Sequence, residues 1–228
     1  MRLRAGTGMI GVFGGTFDPI HFGHLRPAFE VYQRLGLEQL RLIPLNQAVH
    51  RPQPVASGEQ RLRMLEAAIA GQPGLIADRR ELDRAGLSRT LDTLISLRGE
   101  LGSDLSLCLL VGGDAFESFA DWYRPEEILQ LAHLIVMRRP QARTSTDPRL
   151  RDLLARHRGS DPECLRQAPA GAIWFQEVTQ MAISASAIRA ALSQGRSPRY
   201  LLPDSVLAMI HASGVYPGKS RRSPAKIG

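Results

Sequence analysis

Short runs that are apolar throughout alternate along the chain with longer stretches whose apolar residues recur every three or four positions. The first kind, "MIGVF" (9–13), "LRLIP" (40–44), "LSLCLLVG" (105–112), "HLIVM" (133–137) and "AIWFQ" (172–176), predicts strands, with a weaker one near "LIADRREL" (75–82). The second kind predicts helices over 22–35, 59–71, 89–101, 147–159, 185–195 and 204–214. Local signals support them. Ser57 with Gln60 three residues on forms a capping-box pattern before the second helix, with Gly71 as its stop, and Ser88 is placed to cap the third. Pro27 falls inside the first helix and predicts a kink or an offset start. Strands apolar on both faces and separated by helices predict a buried parallel sheet, a doubly wound α/β domain that ends in a helical part. The proline-rich and polar stretches 44–58 and 138–149 predict long loops.

Composition narrows this picture. At 228 residues with 43% hydrophobic content, the chain supports one domain with a full core, taken as 1–218. The basic segment 219–228 lacks apolar periodicity and is expected to be disordered. Cys108 and Cys164 do not form a redox or metal-ligand spacing, and no run is long enough to cross a bilayer, so a reduced, cytoplasmic protein is expected. The net charge of +7 favours anionic partners. No basic stripe interleaved with aromatics accompanies it, so nucleic acid is not expected as a partner, and without a spanning run neither is a membrane.

The chemistry gathers in "GVFGGTFDPIHFGH" (11–24), at the carboxyl end of the first strand. In an open, Rossmann-like sheet, ligands bind at that edge. Gly14 and Gly15 allow a ligand close to the backbone in the turn 14–17, with Thr16 and Phe17 following. The next helix start presents amide N–H groups and a partial positive charge suited to a phosphate. His21 and His24, three apart, share one face of its first turn and can donate to phosphate oxygens. The segment is neither a P-loop nor a dinucleotide fingerprint. Near the other end, "ISASAIR" (183–189) sets Ser184 and Ser186 at a helix start, with Arg189 one turn in as a fork of donors.

"GGTFDPIHFGH" resembles the Gly-x-Phe-Asp-Pro, His-x-Gly-His pattern of the HxGH nucleotidyltransferases, and "ISASAIR" resembles their second signature, Ile-Ser-Ser-Thr-x-Ile-Arg. Further stretches narrow the resemblance to the nicotinate-nucleotide adenylyltransferase branch, over roughly residues 9–216: "IPLNQAVHRPQP", "LSRTLDTL", "VGGDAFESFADW", "HLIVMRRP" and "LLPDSVLAMI". The resemblance implies adenylyl transfer from ATP to nicotinate mononucleotide. It implies His21, His24 and Arg189 as the catalytic set, and an ATP site formed by these with Gly14, Gly15, Thr16, Phe17, Ser184, Ser186, Asp114 near the ribose or metal, and Val136 and Arg138 on the adenine side. It implies Asn46, Thr90 and Trp122 in the nicotinate-nucleotide site, with His50 and Arg51 in its mobile loop. Mg²⁺ is expected, held mainly by ATP phosphates rather than by protein ligands, in a monomer or small homo-oligomer. The chain departs from the branch at Arg89, where a tyrosine is usual. Two other readings stand beside this one: a phosphopantetheine adenylyltransferase, against which "GGDAFESFADW" argues, and a basic nucleic-acid-binding or nucleotide-sensing domain without turnover.

Overall fold

The computed structural model describes residues 8–47, 52–138 and 147–217. His50, Arg51 and the segment 219–228 lie outside the described residues. The chain runs β1 (Met9–Gly15), α1 (Phe22–Leu35), β2 (Gln39–Pro44), α2 (Gly58–Ile69), β3 (Leu75–Ala77), α3 (Thr90–Leu101), β4 (Ser106–Gly112), α4 (Gly113–Glu117), α5 (Pro125–Leu131), β5 (His133–Arg138), α6 (Pro148–His157), α7 (Cys164–Gln167), β6 (Ile173–Glu177), α8 (Ala185–Ser193) and α9 (Asp204–Ser213). The six strands form one sheet in the order β3-β2-β1-β4-β5-β6, every pair parallel.

The alternation of side chains along each strand divides the core into two apolar layers. Met9, Phe13, Cys108, Leu110, Ile135 and Met137 face one layer. Ile10, Val12, Leu107, Leu109, Leu134 and Val136 face the other. The first layer takes Val31 and Leu35 of α1, Leu65 of α2, Ile188 of α8 and Leu207 of α9. The C-terminal helices therefore pack into the same layer as α1. The second takes Leu94 of α3, Ile128 of α5 and Leu153 of α6. Gly11 is a packing requirement: a Cβ there would lie 2.6 Å from Leu37 Cδ1 and 2.8 Å from Leu40 Cδ1.

Several sequence expectations shift by local physics. α1 begins at Phe22 and runs through Pro27 without interruption, so the offset start is not found. β3 is three residues, and Asp78 beyond it turns to ion pairs with Arg41 and Arg80. The capping box forms: Gln60 N–H donates to Ser57 Oγ and Ser57 N–H to Gln60 Oε1. α2 stops at Ile69, before Gly71. Ser88 does not cap α3, because its Oγ accepts the Asn46 N–H at 2.8 Å and Arg89 occupies the cap position.

Candidate active site

The chain leaves β1 in one direction across the sheet to β2 and β3, and in the other to β4, β5 and β6. The carboxyl ends of β1 and β4 therefore flank the crevice where a doubly wound sheet binds ligands. The residues at that edge are Gly14 and Gly15 from β1, Gly112 from β4 and Arg138 from β5. Gly14 is exposed and a Cβ there would meet nothing within 4 Å, so the floor of the crevice is bare backbone. Gly15 is required by the protein itself: a Cβ would lie 2.7 Å from the Phe17 ring. Neither glycine takes a positive φ; that conformation falls to Phe17, at φ 48°. A bulky residue is costly there, and burial of its ring, packed edge-on against Phe13 at 5.7 Å and His24 at 5.2 Å, holds it. Phe17 thus walls in His24 rather than offering its own side chain to a ligand.

His21 and His24 lie together, as their spacing predicts, with ring centroids 3.8 Å apart and planes at 30°. The Nδ1 atoms of both are buried without a partner among the described residues. Burial pushes the His21 pKa down to about 4; burial, and then the neighbouring His21, push that of His24 down to about 3. Both rings are therefore neutral near pH 7, each with one N–H to donate. The backbone amides are less free than the sequence suggested. Phe22 N–H donates to Leu201 O at 3.0 Å and His24 N–H to His21 O at 2.9 Å.

Asp18 and Arg61, which the sequence reading passed over, fix this turn. The buried Asp18 carboxylate accepts the N–H groups of Val55 and Ala56 and the Tyr216 hydroxyl at 2.6 Å. Arg61, 1% exposed, donates to the carbonyls of Thr16, Leu45 and Ala56. Thr16 is thus held through its main chain. Arg61's donors read as the polar face of a surface helix; only the folded turn shows that they point inward.

The second signature meets the first. A Cβ on Gly23 would lie 2.9 Å from His21 Nδ1 and 3.0 Å from Ile183 O, so this glycine lets α8's lead-in close onto the histidine turn. Arg189 Nη1 donates to Asp18 O at 2.6 Å and lies 3.5 Å from Asp18 Oδ2. Ser184 is the α8 N-cap, accepting the Ala187 N–H, and its Oγ lies 3.2 Å from that of Ser186; both serines are exposed.

The remaining sequence-predicted residues divide. Asp114 does not end β4; it is exposed in the first turn of α4, and its carboxylate makes no hydrogen bond or ion pair among the described residues. Val136, expected on the adenine side, has its side chain buried in the second apolar layer, leaving only its main chain to meet a ligand. Arg138 stacks over Phe175 at 4.9 Å. Asn46 Nδ2 donates to Arg84 O at 3.0 Å, so Asn46 ties the end of β2 to the segment before α3. Thr90 opens α3 half-buried, and half-buried Trp122 packs edge-on against Phe119 at 5.4 Å. Arg89 lies over the Tyr123 ring at 4.3 Å, linking these two segments. Among the described residues no group of three or more His, Cys, Asp or Glu is placed to hold a metal ion, and no helix is long and apolar enough to cross a membrane.

The chain's similarities agree with this geometry. The family model described as cytidylyltransferase-like matches residues 12–191, which span both signatures. A probable nicotinate-nucleotide adenylyltransferase of Methylococcus capsulatus is 48% identical over 91% of this chain and 99% of its own length. One from Pseudomonas putida is 48% identical over 91% of this chain and 94% of its own. Among solved structures, the Plasmodium falciparum nicotinic acid mononucleotide adenylyltransferase complexed with NaAD superposes with a TM-score of 0.70 at 13% identity, covering 93% of this chain and 98% of that one. A putative nicotinate-nucleotide adenylyltransferase from Vibrio parahaemolyticus gives a TM-score of 0.60 at 16% identity, covering 89% of this chain and 99% of that one. Through the paired signatures that close on one crevice and this identity along nearly its whole length, the chain belongs to the nicotinate-nucleotide adenylyltransferase family of cytidylyltransferase-like proteins.

Proposed function

We propose that the crevice transfers the adenylyl group of ATP to nicotinate mononucleotide, releasing pyrophosphate and forming deamido-NAD. The observation that supports this most directly is the junction of the two signatures, with Gly23 against Ile183 and Arg189 on Asp18, beside a close pair of neutral histidines. The acceptor's 5′-phosphate oxygen attacks the α-phosphorus in line, and the bond to the β-phosphate oxygen breaks. The acceptor is already a competent nucleophile, so the protein's task is positioning and charge stabilisation. The bare backbone at Gly14 lets the nucleotide lie against β1. His21 and His24 each donate one N–H to the phosphates. Arg189 keeps one nitrogen on Asp18 and turns its other donors to the triphosphate, with Ser184 and Ser186 alongside. Arg138 and the main chain at Val136 border the adenine. Mg²⁺, held by phosphate oxygens and water with the exposed Asp114 carboxylate of α4 nearby, would neutralise triphosphate charge. Asn46, Thr90 and Trp122 receive the acceptor, and the family resemblance adds His50 and Arg51.

The decisive experiment is pyrophosphate release from Mg·ATP with nicotinate mononucleotide, nicotinamide mononucleotide and phosphopantetheine in turn. The first is expected to exceed the second by roughly a hundredfold in kcat/KM, the scale of a buried polar mismatch. Turnover with phosphopantetheine alone would move the chain to the other adenylyltransferase branch. No turnover with any acceptor would favour a binding domain.

A further inference from the structure

The Tyr123 ring, 47% exposed, lies under two guanidinium groups that differ in one respect. Arg124, 5.3 Å from the ring centroid, is ion-paired with Glu127 at 3.1 Å. The Arg89 guanidinium, at 4.3 Å, donates no hydrogen bond and has no carboxylate within 4.0 Å among the described residues. A guanidinium over a ring face is drawn to the ring's quadrupole and keeps its N–H donors for other partners. The half-buried Arg89 group therefore offers a fork of donors with no partner among the described residues. Its chain neighbour is Thr90 and its ring's neighbour is Trp122, so the fork bridges the two segments assigned to the acceptor. The α3 N-terminus adds partial positive charge, since Arg89 makes no side-chain cap there.

We propose that Arg89 is a specificity-determining residue that receives the nicotinate carboxylate. The inference rests on the acceptor reading given above. A planar carboxylate fits the guanidinium edge with two parallel N–H···O bonds. A carboxamide offers one acceptor, sets its NH₂ against the second donor and brings no charge. The contact forms on binding and is unaltered as the phosphate attacks, so it acts on KM rather than on kcat.

Steady-state kinetics of the wild type, Arg89→Gln and Arg89→Lys with both mononucleotides at saturating Mg·ATP tests this. Arg89→Gln is expected to raise KM for nicotinate mononucleotide about tenfold with kcat within about twofold, the scale of a lost hydrogen bond to a charged group. Its kcat/KM for nicotinamide mononucleotide should change less than about twofold. Arg89→Lys, which keeps the charge without the fork, should fall between. Equal losses on both acceptors would overturn the proposal, because the arginine would then serve a group the two share, such as the phosphate. Unchanged discrimination, or loss of the cooperative thermal transition in Arg89→Gln, would overturn it as well. Absence of wild-type turnover with nicotinate mononucleotide would instead bring down the acceptor reading itself.

Discussion

His21 and His24 were visible in the sequence as a pair three residues apart, but their electrostatic state was not, because it depends on burial supplied by distant residues. With ring centroids 3.8 Å apart and pKa values near 4 and 3, the two cannot both charge without strong repulsion in a dry setting. The unfolded chain protonates these rings below about pH 6.5, the folded protein only near 4 and 3. Unfolding therefore takes up protons across that window, and stability falls as pH drops from about 6.5 towards 3. Burial lowers the His133 pKa too, so that ring adds to the same slope. Urea midpoints at pH 7, 5.5 and 4.5 should show the decline in the wild type and a shallower one in His24→Asn; parallel lines would mean that the His24 ring is solvated in the folded state. At pH 7, His24→Ala should lower kcat by about a hundredfold or more while far-ultraviolet circular dichroism is unchanged, as for removal of an oxyanion donor. Near-normal turnover would remove His24 from the phosphate site.

The strands were legible as elements because a buried parallel sheet demands unbroken apolar runs, and the longer helices because their apolar faces recur. What escaped was short or polar. α4, α5 and α7 have five, seven and four residues, too few turns to show a period. The inward role of α2 was hidden as well, since Arg61 sits among charged neighbours in "GEQRLRML" and only the fold reveals that it faces three carbonyls. That single side chain joins α2 to the ends of β1 and β2, and so holds the turn that carries the histidines. Arg61→Leu preserves the apolar stem but strands the carbonyls of Thr16, Leu45 and Ala56. It should cost roughly 3 kcal/mol in chemical denaturation, the scale of several buried acceptors left unpaired. Arg61→Lys should recover little, because one ammonium cannot span three diverging acceptors. A denaturation midpoint equal to that of the wild type would mean that the turn is set by Asp18 and Phe17 alone.

At the scale of the molecule, strand order was not legible, because the runs that make strands do not say which neighbours they take. Order decides everything about the site: the reversal of direction beside β1 opens the crevice, and the return of the chain through β6 brings α8 across to α1. Two signatures about 160 residues apart thereby become one surface, and their seam is Gly23. The sequence marked that glycine only as the spacer between two histidines. In the structure it is the place where α1 has no room for a side chain, with His21 Nδ1 at 2.9 Å and Ile183 O at 3.0 Å from the position a Cβ would take. Gly23→Ala sets two effects against each other. Alanine favours the helix by up to about 1 kcal/mol, less in a first turn, and reduces the freedom of the unfolded chain. The added methyl must push either the His21 ring or the Ile183 carbonyl aside. The helical gain offsets much of the crowding, so the melting temperature should move by only a few degrees, about 1 kcal/mol in a chain of this size. Activity has no such offset, since a ring displaced by even part of an ångström no longer meets the phosphate. The variant should therefore lose more than about tenfold in kcat while remaining folded. Full activity in a folded Gly23→Ala protein would show that His21 can move without consequence, and the seam between the two signatures would be a packing contact with no hold on the chemistry.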